Sequence, residues 1–307
     1  MHFYLPIAEM SANVLLFFSM GFVIGFVSGM VGVGGGFLTT PLLIFLGIPS
    51  TVAVGTGAAP VVASSVSGAM AQWRRNNVDL KMGTVLLLGG IIGALIGVQV
   101  VKWLNRIGQF DFFVSVCYVT FLGVIGALML IESINTLRQV KAGETKKRRA
   151  EHHYWIHRMP LKMRFHRSKL YISAIPPFAI GTFVGFLSGI MGVGGGFILV
   201  PAMIYILRMP TNVAVGTSLF QIVFVASATT ILHATENKSV DIILALLLMV
   251  GGVIGAQLGA IVGQKLNGAQ LRFALAALVL LVAVRMAWGL VVKPSELYSL
   301  AIITGKN

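Results

Sequence analysis

Gly25 to Phe37 of this chain reads GFVSGMVGVGGGF, and Gly185 to Phe197 reads GFLSGIMGVGGGF. The second stretch repeats the first at an offset of 160 residues, and each continues to a proline, Pro41 and Pro201. A glycine-rich stretch of this kind, embedded twice in apolar sequence, indicates an internal repeat.

Further matches follow in the same order along the chain. They are Pro49–Thr56 with Pro210–Thr217, Val78-Asp79 with Val240-Asp241, and Gly89–Gly97 with Gly251–Gly259. Chance does not produce such an order, so we predict two homologous transmembrane repeats, residues 1–137 and 171–307. Residues 138–170 would form a basic cytoplasmic linker between them.

The composition places both repeats in a membrane. Hydrophobic residues make up 57% of the 307 and charged residues only 10%, whereas a soluble domain carries about a quarter charged residues. Apolar runs near the ~20 residues that span a bilayer cover about 11–31, 52–70, 83–101, 110–131, 172–191, 213–232, 242–262 and 273–292. The predicted fold is an all-α integral membrane protein with four to five helical segments per repeat.

Two apolar pieces, Phe37–Gly47 and Phe197–Leu207, are too short to span the bilayer untilted and are predicted to be half-helices that follow a glycine break. If each short piece is a crossing, a repeat has five spans and the halves are inverted. If each is re-entrant, or part of one broken span, a repeat has four and the halves are parallel. Both arrangements stay open at this point.

The net charge of +14 is concentrated in the linker, where eleven basic residues lie between Arg138 and Lys169 against Glu144 and Glu151. Basic clusters beside membrane spans stay in the cytoplasm and contact anionic lipid headgroups. The bilayer is therefore the expected partner of the linker, and no nucleic acid is needed to explain the charge. The linker also holds His152, His153, His157 and His166, but no full set of metal ligands, so we expect no metal site there.

The glycine clusters carry the predicted site. Four glycines in five residues disfavour a helix by about 1 kcal/mol each relative to alanine, and unwound backbone inside a bilayer must line a cavity or be buried in protein. The helix that follows would direct free N–H groups and its positive dipole end at the break, which suits an anion. The candidate residues are Gly34, Gly35 and Gly36, and Gly194, Gly195 and Gly196. The alternative is that these glycines only allow tight helix packing.

Val-Gly-Thr elements supply the remaining candidates: Thr56 and Gly57 in the first half, Thr217 and Ser218 in the second. The same elements include Gly55, Pro60, Ser64 and Ser65 in the first half and Gly216 and Gln221 in the second. The hydroxyls and the Gln221 amide could donate to an oxyanion, or the hydroxyls could bond to carbonyls of their own helix. By contrast, Gly89, Gly93 and Gly97 recur every four residues, as do Gly251, Gly255 and Gly259, a pattern typical of a packing face.

The sequence lacks the residues that several other functions would require. The spans contain no series of carboxylates for binding protons, sodium or a cation. No Walker lysine motif is present, and Phe37 occupies the third glycine position of the dinucleotide pattern. No set of nucleophile, base or metal ligands lies within the spans, so neither an enzyme nor a cofactor is expected.

At these motifs the chain resembles the TauE/SafE sulfite exporter family, also called the toluene-sulfonate uptake permease family. The resemblance rests on the paired GFxSGxxGVGGGF, on Pro41 and Pro201, and on the paired Val-Gly-Thr elements. It implies a multi-pass inner-membrane carrier of a sulfur-containing anion such as sulfite, a sulfonate or sulfoacetate, driven by an ion gradient, with protons or sodium as candidate coupling ions.

We therefore expect a carrier whose small anionic substrate binds between the two repeats near the midplane, with alternating access by rocking of one repeat against the other. An anion channel and a non-transporting membrane scaffold or sensor are the alternatives.

Overall fold

The computed structural model describes residues 2–8, 10–31, 35–141, 162–165, 167–168, 170–263 and 268–292. Ten α-helices lie in these residues. In the first half they are α1 Val14–Val31, α2 Gly36–Phe45, α3 Ser50–Arg74, α4 Leu80–Ile107 and α5 Phe110–Lys141. In the second half they are α6 Ile175–Met191, α7 Gly196–Tyr205, α8 Thr211–Leu232, α9 Ile242–Gly263 and α10 Gly268–Val291. The π-helical turn His233–Asn237 extends α8. The all-α membrane fold is confirmed.

Six of these helices are long and apolar enough to cross a membrane: α3, α4, α5, α8, α9 and α10. Helices α1 and α6 are slightly shorter apolar helices, and α2 and α7 have ten residues each. Ten residues rise about 15 Å, half of a bilayer core. The predicted half-helices are therefore present at both places.

A short β-hairpin precedes each half, which the sequence analysis did not predict. Hairpin 1 pairs β1 His2–Leu5 with β2 Met10–Asn13, and hairpin 2 pairs β3 Lys162–Phe165 with β4 Leu170–Ser173. Hairpin 2 crosses the predicted end of the linker at 170, and α5 extends past its predicted start at 138. The remaining linker residues, including its four histidines, lie outside the described residues.

The chain reverses direction at the first break. Gly35, just after the break, lies beside Ile24 and Ser28 of α1, while Leu43 near the end of α2 packs in one cluster with Phe17 near the start of α1. Helix α2 therefore runs back along α1 towards the face where α1 began. We call this face, which also carries hairpin 1, the N-terminal face.

Glycines hold two helix pairs in very close contact. Gly21, Gly25 and Gly29 of α1 face Leu248, Gly252 and Ala256 of α9 in the same order, so α1 and α9 are parallel. Gly181, Gly185 and Gly189 of α6 face Leu86, Gly90 and Ala94 of α4 in the same way. A Cβ on most of these glycines would overlap a backbone atom of the neighbour, as small-residue packing in membranes requires. An added Cβ on Gly89, Gly93 or Gly97 of α4 would likewise overlap backbone atoms of α6, and one on Gly251, Gly255 or Gly259 of α9 would overlap those of α1, so the predicted packing role of these glycines is confirmed.

The helix directions make the two halves antiparallel. Helix α3 begins beside the start of α9, because Asp241 donates its N–H to Thr56. Thr51 at the start of α3 contacts Asn105 at the end of α4, so α4 ends where α9 begins. Since α1 is parallel to α9 and α6 is parallel to α4, α1 and α6 cross in opposite directions. The two halves therefore begin at opposite faces; we call the second the linker face.

Candidate functional site

The two helix breaks meet inside the protein. A Cβ added to Gly36 at the start of α2 would overlap the carbonyl of Val193 in the second break and also Val61 of α3. The rings of Phe37 and Phe197, one residue into α2 and α7, lie 5.8 Å apart. Because both phenylalanines are at most 5% exposed, the meeting point is buried. The structure thus brings the two predicted glycine clusters together.

The second break needs its glycines for backbone conformation. Gly192, Gly194 and Gly195 have φ of 68°, 70° and 75°, a left-handed region that is costly for other residues. Gly192 ends α6 by donating its N–H to the carbonyl of Ser188 at 2.8 Å, and Gly195 is the N-cap of α7.

The first break differs from the second in the backbone conformation of its N-cap glycine. Gly35 is the N-cap of α2 with an ordinary φ of −67°. Gly34, a predicted site residue, lies with Gly32 and Val33 outside the described residues.

Neither half-helix has a side-chain cap at its N-terminus, because both N-cap residues are glycine. The first N–H groups of a helix have no partner within it and carry the positive end of its dipole. Two such ends, each of a ten-residue helix, therefore begin within the protein interior. An anion is the ligand type that this arrangement stabilises.

A cavity of about 10 Å³ adjoins the first break, between the α1–α9 seam and α3. Gly35, Thr39, Pro60 and Ser64 line it. The hydroxyls of Thr39 and Ser64 donate to carbonyls of their own helices, Gly35 at 3.2 Å and Val61 at 3.1 Å. A space of this size holds about one water, so a sulfur oxyanion would require the surrounding helices to separate.

The second half fills the equivalent space with its own side chain. At the repeat offset of 161 that relates Thr56 to Thr217, Pro60 corresponds to Gln221. Gln221 is fully buried, and a Cβ on Gly90 of α4 would lie 2.5 Å from its Nε2. At the corresponding Gly252 of α9, the nearest atom to an added Cβ is 3.7 Å away. Both polar atoms of the Gln221 amide have no hydrogen-bond partner among the described residues.

Thr56 and Thr217 join the two halves near opposite faces. Thr56 Oγ1 accepts the backbone N–H of Asp241, and Thr217 Oγ1 accepts that of Asp79, both at 3.0 Å. Ser218 donates to the carbonyl of Val215 one turn earlier in α8. The hydroxyls of Thr56 and Thr217 therefore bond across the two halves. Only Ser218 bonds to a carbonyl of its own helix, which the sequence analysis gave as the alternative to anion binding.

Gly57 lies against Thr40 of α2, since an added Cβ would be 2.6 Å from Thr40 Oγ1. Gly194 lies between Val61 of α3 and Ile222 of α8, at 2.7 and 3.1 Å from an added Cβ. Both predicted glycines are thus close-packing positions beside the half-helices. Their role towards an anion stays a prediction.

Two buried aspartates organise the cross-half contacts, and the sequence analysis identified them only as part of a repeated Val-Asp pair. Asp79 caps α4 through Met82 N–H and accepts two bonds from Ser168 in the turn of hairpin 2. Asp241 caps α9 and accepts the N–H of Ile7 in the turn of hairpin 1. The repeated Val-Asp pair was the signal that could have identified them.

Tyr118 of α5 and His233 were also missed. Tyr118 is fully buried and donates its hydroxyl to the carbonyl of Met191, the last residue of α6, at 2.6 Å. His233, in the π-helical turn after α8, has Nε2 2.8 Å from the carbonyl of Gly189 in α6, so Nε2 carries the proton. Asn237 faces its Nδ1 at 2.9 Å. These side chains fix the end of α6, just before the second break.

Comparison with known proteins places these features in a family. The family model described as "Sulfite exporter TauE/SafE" matches residues 17–286. A "Probable membrane transporter protein" of Xylella fastidiosa (strain Temecula1) is 29% identical over 272 residues, covering 87% of this chain and 92% of that protein. The probable membrane transporter proteins YunE and YjnA of Bacillus subtilis are 29% and 28% identical, covering 81% and 90% of this chain and 88% and 100% of their own lengths. No solved structure matches the chain.

Proposed function

Because the chain belongs to the TauE/SafE sulfite exporter family, we propose that this multi-pass membrane transporter is a secondary carrier of a small sulfur-containing anion, such as sulfite, a sulfonate or sulfoacetate. The observation that carries the proposal is the contact between Gly36 and Val193, where two helix breaks from antiparallel halves meet. Carriers with this architecture bind their substrate between the repeats at discontinuous helices.

The anion would bind at the N-termini of α2 and α7, where backbone N–H groups and helix dipoles face the centre of the protein. The cavity at Gly35, Thr39 and Ser64 is the space that would widen to admit it. Both hydroxyls there can rotate away from their own helix carbonyls and donate to an oxyanion. Widening requires α2 and α3 to separate from α9 of the other half, which is the rocking of one repeat against the other expected of alternating access.

Charge supports a cytoplasmic position for the linker face, and with it insertion in the cell inner membrane. Arg74, Arg75, Lys81 and Arg208 flank helix ends on that face, against Lys102, Arg106 and Lys238 on the opposite face. The eleven basic residues of the linker make the linker face the more positive one, and the positive-inside rule places that face in the cytoplasm. Helix α5, which leads into the basic linker, ends at the linker face, and hairpin 2, which follows the linker, lies at the same face. The linker would then meet anionic headgroups.

Solute counterflow in proteoliposomes tests this function. Vesicles preloaded with unlabelled sulfite should accumulate ³⁵S-sulfite transiently and saturably, because a carrier exchanges one bound solute for another. Parallel vesicles loaded with a sulfonate or with inorganic phosphate would define the substrate class, and imposed proton or sodium gradients would identify the coupling ion.

Gly35→Leu should abolish counterflow, because its side chain would meet Ile24 and Ser28, whose nearest atoms lie 2.8 and 3.0 Å from an added Cβ. Gly123→Leu in α5 is the matched control, since no atom lies within 4 Å of a Cβ there. Both variants should insert and purify normally. Wild-type rates in Gly35→Leu would contradict the site, and flux without saturation or counterflow would identify a channel.

A further inference from the structure

A second concave site lies at the linker face, away from the helix breaks. It has a volume of about 230 Å³ and lies between the last turn of α3, the first turn of α4 and the turn of hairpin 2. Trp73, Asp79, Leu80, Lys81 and Arg167 line it. Nothing in the carrier mechanism uses this pocket.

Cations dominate the polar part of the pocket. Lys81 and Arg167 are both exposed. Arg167 donates one N–H to the carbonyl of Asn76 at 2.6 Å, which orients the guanidinium and leaves its other donors for a ligand. The Asp79 carboxylate is 2% exposed and already accepts from Met82 and twice from Ser168. An anionic group in the pocket would therefore meet the two cations rather than this carboxylate.

The rim of the pocket is apolar and faces outward. The side chain of Trp73 is 52% exposed and that of Leu80 is 46% exposed. Both lie at helix ends on one face of the membrane, where tryptophan prefers the level of the lipid headgroups. Cations beside exposed apolar side chains at this depth match a ligand that has a charged head and hydrocarbon chains.

The opposite face offers an internal comparison. At the repeat offsets, Trp73 corresponds to Ala234, Lys81 to Ile243 and Arg167 to Ile7. The backbone arrangement is kept, because Asn76 and its counterpart Lys238 both have positive φ, at 60° and 49°. The ring and the two charges of the linker-face pocket are absent from their own counterparts, and the basic residue among the matched positions is Lys238 in place of Asn76, so packing of the repeat does not require Trp73, Lys81 or Arg167.

We propose that this pocket binds the phosphate headgroup of an anionic phospholipid from the leaflet at the linker face. Lys81 and Arg167 would contact the phosphate, and Trp73 and Leu80 would contact the glycerol and upper acyl chains. The ligand chemistry is that of a phosphate anion, and the apolar rim favours the lipid over free phosphate as its source.

Tryptophan quenching by brominated lipid tests this proposal. A variant with Trp103→Phe, Trp155→Phe and Trp288→Phe keeps Trp73 as its only tryptophan. In phosphatidylcholine vesicles, dibrominated phosphatidylglycerol should quench Trp73 at lower mole fractions than dibrominated phosphatidylcholine. Lys81→Gln and Arg167→Gln should each weaken this preference about fivefold, because one basic residue near an anionic surface contributes about that factor.

The matched control keeps Trp103 instead, which is 61% exposed near the end of α4 at the opposite face. Lys102 beside it pairs with Glu236 and Arg106 lies one turn away, so Trp103 should show a weaker preference for the anionic lipid than Trp73 does. Equal quenching of Trp73 by both lipids would overturn the proposal, as would a preference that survives Lys81→Gln with Arg167→Gln. A response of Trp73 to inorganic phosphate in pure phosphatidylcholine vesicles would instead identify a soluble phosphate ligand and also reject the lipid.

Discussion

The two halves carry the same glycine motif before their half-helices, but they differ in the next helix, where α3 has Pro60 and α8 has Gln221. In the first half the space beside the α1–α9 seam is empty of side chain, and Gly252 has no atom within 3.7 Å of an added Cβ. In the second half the Gln221 amide lies against Gly90 in the corresponding space.

The difference indicates what the first half can hold. A planar polar group of three heavy atoms fits the corresponding space of the second half without partners among the described residues. The first half adds hydroxyls where the second is apolar, since Thr39 and Ser64 correspond to Leu199 and Val225. The two halves thus share one helix arrangement, but the space in the first half is free and the corresponding space in the second half is filled by Gln221. We expect the substrate to bind in the free space of the first half.

Pro60→Gln should break this asymmetry and have the largest effect. The new amide would occupy the first half's space as Gln221 occupies the second, so sulfite counterflow should fall to the level of protein-free vesicles. Removal of a proline from within α3 should not impair the helix.

Gln221→Ala is the partner variant, and it should retain counterflow because it only empties the other space. The asymmetry would be irrelevant to function if Pro60→Gln transported at the wild-type rate, or if Gln221→Ala alone abolished transport.

Asp79→Ala and Asp241→Ala test the feature that the halves share. Each removes a helix cap, which costs about 1 kcal/mol. Asp79→Ala also leaves the two buried donors of Ser168 unpaired, at about 2 kcal/mol, whereas Asp241→Ala releases the part-buried N–H of Ile7. We expect Asp79→Ala to lower the free energy of unfolding by about 3 kcal/mol and Asp241→Ala by less, measured by reversible unfolding in mixed detergent micelles. A strong effect of one variant and none of the other would show that the cross-half contacts are not equivalent.

Gly90→Ala and Gly252→Ala compare the two spaces by packing alone. The new methyl of Gly90→Ala would lie 2.5 Å from Gln221 and 2.7 Å from Val225, and overpacking of this kind costs about 1–3 kcal/mol. Gly252→Ala should be nearly neutral in the same unfolding assay. Adding Gln221→Ala should rescue Gly90→Ala in part, because the contact with Val225 remains, and the absence of any rescue would remove Gln221 as the group that fills the space.

Thr56→Val and Thr217→Val carry the smallest expected effect on stability, about 1–2 kcal/mol each, because the N–H of an aspartate loses its partner. Thr56→Ser and Thr217→Ser keep the hydroxyl that accepts this bond and should therefore have the stability of the wild-type protein. A substrate role would appear separately, as a raised KM for counterflow in the valine variants.

The sequence predicted the features that depend on local composition. Helix breaks follow from clustered glycines, and the packing faces follow from glycines spaced by four, because both effects act within a few residues. The half-helices at Gly36 and Gly196 were predicted for the same reason.

Features that depend on distant partners were not predicted. The strands of hairpin 1 have four residues each and no clear alternation of polar and apolar residues, so pairing and burial of Leu5 decide their conformation. The direction of α2 follows from its packing near Phe17 rather than from its length. The roles of Asp79 and Asp241 require contacts across 89 to 234 residues of sequence.

The reciprocal bonds of the two aspartates have a consequence for biosynthesis. Asp79 receives its partners only when Ser168 and Thr217 have been made, 89 and 138 residues later. Thr56 and Ile7 likewise gain their hydrogen-bond partner only when Asp241 has been made. The amino-terminal half therefore leaves the ribosome without its closing bonds and depends on the insertion machinery until the rest of the chain arrives, so nascent chains truncated between the halves should be degraded rather than accumulate.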